Sequence, residues 1–201
     1  MVMTEDVLDY ADFVLMVIDA LSESDIPYLI GGSVATWAWG EPRATRDLDL
    51  IVEIPADAVE NLSEALTKRD MPLPAEIIKD RIKDSRGDVP LNAIHEASGY
   101  KADLYLLRKG DAFRQKAFKR RVLVDLGPGL GELYLHTPED LIVYKLLYYS
   151  ISQQTKHIRD ISSVVQTMGD ELDMNYIQKW VAIKELGAIW NSVLQQIRSQ
   201  G

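Results

Sequence analysis

The sequence predicts an α+β fold: a mixed β-sheet flanked by helices, with a helical part at the C-terminal end. Three observations predict it. Short segments of two-residue apolar alternation are interleaved with helical segments up to about residue 136. From Thr137 onward, apolar residues recur only at helical spacing. Gly and Pro turns punctuate the first part, and the second contains no Pro after Pro138. The predicted division is an α/β core over 1–136 and a helical region over 137–201 packed on it.

Val7, Ala11, Val14, Ile18 and Leu21 predict an amphipathic helix over 5–23, with Thr4 as its N-cap. IPYLI (26–30) is a short buried strand stopped by Gly31-Gly32, and 33–39 is a short helix ended by Gly40 and Pro42. DLDLIVEI (47–54) alternates strictly: Leu48, Leu50, Val52 and Ile54 share one face, Asp47, Asp49, Ile51 and Glu53 the other. Pro55 opens a helix through about Arg69, and another covers 74–83. Residues 91–98 and 101–108 form a hairpin around Gly99-Tyr100. VLVDL (122–126) and LYLHT (133–137) are strands joined by a Gly-rich turn whose spacing is wrong for a dinucleotide fingerprint. Helices follow at 138–150, 155–168 and 173–199.

The chain has 201 residues, 47% hydrophobic and 26% charged, enough for a sizeable core. It has no cysteine, which excludes disulfides, thiolate metal sites and a cysteine nucleophile. No apolar run approaches the ~18 residues of a membrane span, and MVMTEDVLDY is acidic, unlike a signal peptide. These features predict a cytoplasmic protein without a membrane partner. A net charge of −9 makes a poor general binder of nucleic acid. Charge is nevertheless segregated: 108–121 holds seven of the 22 basic residues (Arg108, Lys109, Arg114, Lys116, Lys119, Arg120, Arg121) and one acid, Asp111. That segment reads as a solvated helix capping the sheet, or as a landing strip for RNA phosphates.

The chemistry centres on YLIGGSVATWAWGEPRATRDLDLIVEI, residues 28–54. Residues i and i+2 of a strand point the same way with Cα atoms ~6.6 Å apart, so Asp47 and Asp49 can converge on hard cations. All-oxygen ligation favours Mg2+ or Mn2+, and a two-metal site spaces its ions ~3.5–4 Å apart. Asp103, in KADLYLL, is the best third carboxylate, with Ala102, Leu104 and Leu106 toward the core. The strand running into Gly31, Gly32 and Ser33 and then a helix offers free backbone N–H groups to a phosphate. Taken singly, each feature has an ordinary structural reading: a turn, an N-cap, exposed strand aspartates. Together they describe a nucleoside triphosphate held for in-line attack on phosphorus.

The ordered set GGS…RATRDLDL…KADLYLL…TPEDLIVYKL…HIRDI resembles the DNA polymerase β-type nucleotidyltransferase superfamily, and within it most resembles bacterial small nucleotidyltransferases of the AbiEii toxin type. The resemblance covers roughly residues 26–161 and implies a nucleotidyltransferase-like mixed sheet. It implies that Gly31, Gly32 and Ser33 hold the triphosphate, that Asp47 and Asp49 coordinate metal, and that Asp103 completes the metal site and helps activate the acceptor hydroxyl. Arg43, Thr45 and Arg46 match residues preceding the aspartate pair, and Lys145 and Asp160 match a helical Lys…Asp feature. No motif between Asp49 and Asp103 matches, so the acceptor stays open.

Lys145 has only apolar or aromatic neighbours one helical turn away (Leu141, Ile142, Tyr148, Tyr149), so it must snorkel or meet an anion. Arg159-Asp160 also fits an exposed helical pair. Trp37 and Trp39 are expected to pack the short helix on the sheet. His95 reads as structural, and His157 is left open. The expected function is transfer of an NMP from an NTP to an acceptor hydroxyl in RNA (tRNA included), protein or a small molecule, with Mg2+ or Mn2+ as cofactor. Such a chain suits the toxin of a toxin–antitoxin pair, with the antitoxin protein as partner. The alternatives are a catalytically silent binding or regulatory module and an antibiotic-modifying adenylyltransferase.

Overall fold

A computed structural model describes residues 8–84 and 88–200. The first helix, α1 (Tyr10–Glu23), follows Asp9 and buries Phe13, Val14, Val17, Ile18, Ala20 and Leu21. It begins later than residue 5, because Leu8 and Asp9 are non-helical; the predicted cap Thr4 lies outside the described residues. Strand β1 (Tyr28–Ile30) and helix α2 (Gly32–Trp39) flank the glycine turn. Strand β2 (Asp47–Val52) leads to a 3-10 turn at Ala56–Ala58 and then α3 (Val59–Thr67) and α4 (Ala75–Lys83). Strands β3 (Leu91–Ile94) and β4 (Lys101–Leu106) form the predicted hairpin. Its first arm ends before residue 98, because His95 Nδ1 bonds the Ser98 hydroxyl and the His95 carbonyl accepts the Gly99 amide, which closes the turn. Helix α5 (Ala112–Arg120) precedes β5 (Val122–Asp125) and β6 (Glu132–Leu135).

The six strands form one mixed sheet in the order β3-β4-β2-β1-β6-β5. β2 lies between β4, to which it is parallel, and β1, to which it is antiparallel. This placement puts the Asp-x-Asp strand in the middle of the sheet, directly beside the strand that carries Asp103. The alternation is as read from the sequence: Leu48, Leu50 and Val52 are buried, as are Ala102, Leu104 and Leu106.

From Thr137 the chain is helical: α6 (Pro138–Ser152), α7 (Thr155–Met168), a 3-10 turn at Gly169–Glu171, α8 (Met174–Ile183) and α9 (Gly187–Gln200). Helix α6 starts cleanly because the Thr137 hydroxyl accepts from the Asp140 amide, Pro138 sits at the first position, and Glu139 and Asp140 complement the dipole. It is buried on all sides from Pro138 to Leu146. One apolar cluster runs through the sheet, α1, α6, α7, α8 and α9.

A polar knot fastens this helical part to α5. The fully buried Asp140 carboxylate receives Arg120 Nε at 3.1 Å, the Thr137 hydroxyl at 3.0 Å and the Tyr176 hydroxyl at 2.6 Å. The Arg120 guanidinium also covers the Tyr176 ring at 3.9 Å. Among the described residues no helix is long and apolar enough to cross a membrane.

Candidate active site

The parallel register of β2 and β4 pairs Asp47 with Lys101 and Asp49 with Asp103. Side chains at paired positions project to the same face, so three carboxylates and one ammonium form a two-by-two patch. Asp47 is exposed, Asp49 half-buried and Asp103 buried. Asp49 is raised from 3.8 to about 6, first by burial and then by Asp103, with Lys145 opposing the rise. Asp103 receives the Asn92 amide at 2.5 Å on Oδ1 and Lys101 Nζ at 2.9 Å on Oδ2. Lys101 Nζ also stands 3.6 Å from Asp47 Oδ1. Hydrogen bonding to Asp103, then charge, raises the Lys101 ammonium.

The patch floors a cleft of about 280 Å³. The glycine turn forms its wall. Gly32 has φ +56°, and a Cβ there would come within 1.9 Å of Asp49 Oδ2; only glycine fits so close to a carboxylate. The Gly31 amide donates to the Asp49 carbonyl at 2.9 Å, so it braces the turn and is not free for a ligand. Gly31 faces a smaller cavity behind the cleft, beside His136, whereas Gly32 and Ser33 line the cleft. Burial, then Arg114 and Lys145, pushes His136 down to about 3, so its ring is neutral.

Arg43 and Lys145 also line the cleft and share an anchor. Asp160, from α7, receives Arg43 Nε and Nη2 at 3.0 and 3.1 Å and Lys145 Nζ at 2.6 Å. Burial alone would raise Asp160, but hydrogen bonds from Arg43 and the Lys145 charge hold it below the usual carboxylate value. Asp160 thus holds both cations without itself lining the cleft. Thr45 lines the cleft, and its hydroxyl donates to the Asp47 carbonyl at 3.0 Å. Arg46 points elsewhere: Nη2 donates to the Ser98 carbonyl at 2.7 Å and the guanidinium lies over Tyr100.

Sequence reasoning missed several lining residues: Tyr105, Tyr144, Tyr148, Lys156 and, left open, His157. Tyr148 stacks between Tyr144 and His157, making an aromatic wall. These come from β4, α6 and α7, which only the fold juxtaposes. Lys101 was missed as well, although its place two residues before Asp103 on the same strand face was a signal that could have found it. Trp37 Nε1 donates to the Arg43 carbonyl at 3.1 Å and Trp39 Nε1 to the His136 carbonyl at 2.7 Å. Both are braces.

In the basic segment, four arginines have internal partners. Arg108 donates to the carbonyls of Arg81, Ile82 and Asp84. Arg114 is buried against Asp88 and the Leu106 carbonyl, Arg120 joins the Asp140 knot, and Arg121 donates to the Phe118 carbonyl. Lys109, Lys116 and Lys119 are the exposed cations.

Among the described residues, no group of three His, Cys, Asp or Glu side chains stands close enough to hold a metal ion as the side chains are placed. The donor set still suits a hard divalent cation: three carboxylates on one face, and a cation, the Lys101 ammonium, already attracted between two of them.

No family model matches the chain, and no curated protein does. Solved structures do. The antibiotic-resistance factor ANT(2'')-Ia in solution aligns with TM-score 0.55 and 15% identity over 94% of this chain and 95% of its own. The crystal structure of ANT(2'')-Ia in complex with adenylyl-2''-tobramycin aligns with TM-score 0.56 and 15% identity, over 90% and 98%. An antigenic nucleotidyltransferase-like protein from Paracoccidioides brasiliensis aligns with TM-score 0.49 and 19% identity, over 90% and 91%. The likeness shows the fold, which is nucleotidyltransferase-like.

Proposed function

We propose that the chain is a metal-dependent nucleotidyltransferase that moves an NMP from an NTP to an acceptor hydroxyl. One observation carries this reading: the registered Asp49–Asp103 pair, with Asp47 on the same face, beside a Gly32–Ser33 helix start so close that a Cβ at position 32 would collide with the Asp49 carboxylate. Asp47, Asp49 and Asp103 would hold Mg2+ or Mn2+, which would neutralise triphosphate charge and favour the leaving of pyrophosphate.

The chain's own residues do the rest. The amides at the start of α2 and Ser33 bind phosphate oxygens. Lys145 and Arg43, fixed by Asp160, line the same cleft and offset the charge of the anion. The acceptor hydroxyl gives its proton to a carboxylate, Asp103 in this reading, as its oxygen bonds the α-phosphorus. The bond from that phosphorus to pyrophosphate breaks in line. Such chemistry is carried almost wholly by positioning and electrostatics. The aromatic wall of Tyr148 and His157 suits a base or another flat group.

For the acceptor, the fold likeness to a protein crystallised with an adenylylated aminoglycoside supports a small hydroxylated molecule. The likeness of the motif set to AbiEii-type toxins supports RNA or protein instead, with a cognate antitoxin as partner. The three exposed lysines of 108–121 are the surface an RNA acceptor such as tRNA would meet. A silent binding module is the reading in which no acceptor is ever labelled. The test incubates purified protein with each α-labelled NTP, Mg2+ or Mn2+, and total RNA, lysate or an aminoglycoside panel. Label transferred by wild type and not by Asp49→Asn is expected; equal transfer by both would overturn the proposal.

A further inference from the structure

Two lysines face the carboxylate patch, and their settings differ. Lys145 is buried and bonded to Asp160. Lys101 is about a third exposed, and its partners are the patch carboxylates Asp47 and Asp103. We propose that Lys101 is a resident counter-ion of this cluster and competes with divalent cations for it. This inference rests on the metal-dependent reading above.

The geometry supports exchange. An ammonium 2.9 Å from Asp103 Oδ2 and 3.6 Å from Asp47 Oδ1 lies between two of the three oxygen donors a cation would use. A metal–oxygen bond of about 2.1 Å to the same atoms leaves no room for it, and the two positive charges repel. The lysine stem is flexible, its head is readily hydrated, and the side chain is already partly exposed, so leaving is cheap.

Asp103 does not depend on Lys101 for its orientation. Its other oxygen is held by the Asn92 amide at 2.5 Å, from the neighbouring strand β3. When the ammonium swings out, Oδ2 stays aimed at the patch. Asn92 is therefore the positioning residue and Lys101 the exchangeable occupant. Together they keep divalent affinity low until a triphosphate adds negative charge to the cleft.

The test is Mn2+ binding to the full chain without nucleotide, by calorimetry or electron paramagnetic resonance. Lys101→Met, which keeps the stem and removes the charge, is expected to bind Mn2+ about fivefold more tightly or better. The same variant should melt at lower temperature in chelator and regain stability in Mn2+, a pattern that lost packing alone would not give. Lys101→Arg is expected to bind as wild type or more weakly. Unchanged or weaker binding by Lys101→Met, or tighter binding by Lys101→Arg, overturns the inference. If Lys101→Met does not fold, the arginine variant alone decides. Binding that Asp49→Asn abolishes and Lys101→Met leaves unchanged sinks only the competition. No Mn2+ binding by wild type or Lys101→Met, with or without NTP, sinks the metal-dependent reading as well.

Discussion

Lys145 Nζ lies 2.6 Å from Asp160 Oδ2, and both side chains are almost wholly excluded from water. The pair joins α6 to α7, and through Arg43 it also fixes the loop that leads into β2. Removing one partner of a buried pair leaves the other charge uncompensated. Asp160→Ala is therefore expected to destabilise by about 3–5 kcal/mol in urea unfolding, and to weaken NTP binding because two cleft cations lose their anchor. A loss below about 1 kcal/mol, the range of surface pairs, would show that the anchor is dispensable.

Gly32→Ala tests the close approach at the turn. Its φ of +56° disfavours a side chain, and the new Cβ would meet Asp49 Oδ2 at 1.9 Å. The carboxylate must move by more than an ångström, and displacements of that size cost about 10²-fold in rate. The expected result is a folded protein, judged by circular dichroism, with transfer reduced at least that much. Wild-type turnover would mean Asp49 does not act where the fold puts it.

The raised Asp49 pKa gives a pH signature. A group whose folded value is about 6 and whose ordinary value is 3.8 contributes stability that is fully present below pH 3.8 and is lost as pH rises through 6. In chelator, Asp49→Asn should therefore be more stable than wild type at pH 8, by about 1–3 kcal/mol. The difference should vanish below pH 4. Transfer at subsaturating Mn2+, where the metal must first displace the Asp49 proton, should rise with pH up to about 6 and then level off. Thermal melts across this range check the first expectation, and initial rates the second. No stabilisation of Asp49→Asn at pH 8 would contradict the assignment.

The basic segment divides into two sets. Arg120→Ala breaks the Asp140 knot and is expected to destabilise by about 2–4 kcal/mol. Replacing Lys109, Lys116 and Lys119 together by alanine should change stability by no more than about 0.5 kcal/mol per site. If RNA is the acceptor, that triple variant should bind it less well and show a salt dependence reduced by about one unit per lysine. Stable protein with unaltered RNA affinity would remove this surface from the reaction.

Much of the patch was readable before folding. Asp47 and Asp49 share a strand face by simple period-two geometry, and Ala102, Leu104 and Leu106 marked the buried side of β4, leaving Asp103 on the other. Element types agreed along the chain because apolar periodicity, Gly and Pro turns and the Thr137 cap all act locally. Boundaries moved where a side chain closed a turn early, as His95 and Ser98 do after β3. Arg46 and Arg43 were indistinguishable in the sequence, three residues apart in one polar loop. Tertiary contacts send one to Asp160 and the cleft wall, the other to Ser98 and Tyr100.

By itself, then, the sequence determined which residues belong to strands or helices, and which carboxylates lie on the polar side of their own strand. Both follow from backbone periodicity and from the burial of apolar side chains. Only the tertiary structure decided that β4 runs parallel to β2 with Asp103 level with Asp49, that Asp160 holds two cations behind the wall, and that Lys101 sits between carboxylates. Strand partners and ion pairs join residues far apart in the chain, and their choice depends on packing the whole core, which no local pattern encodes.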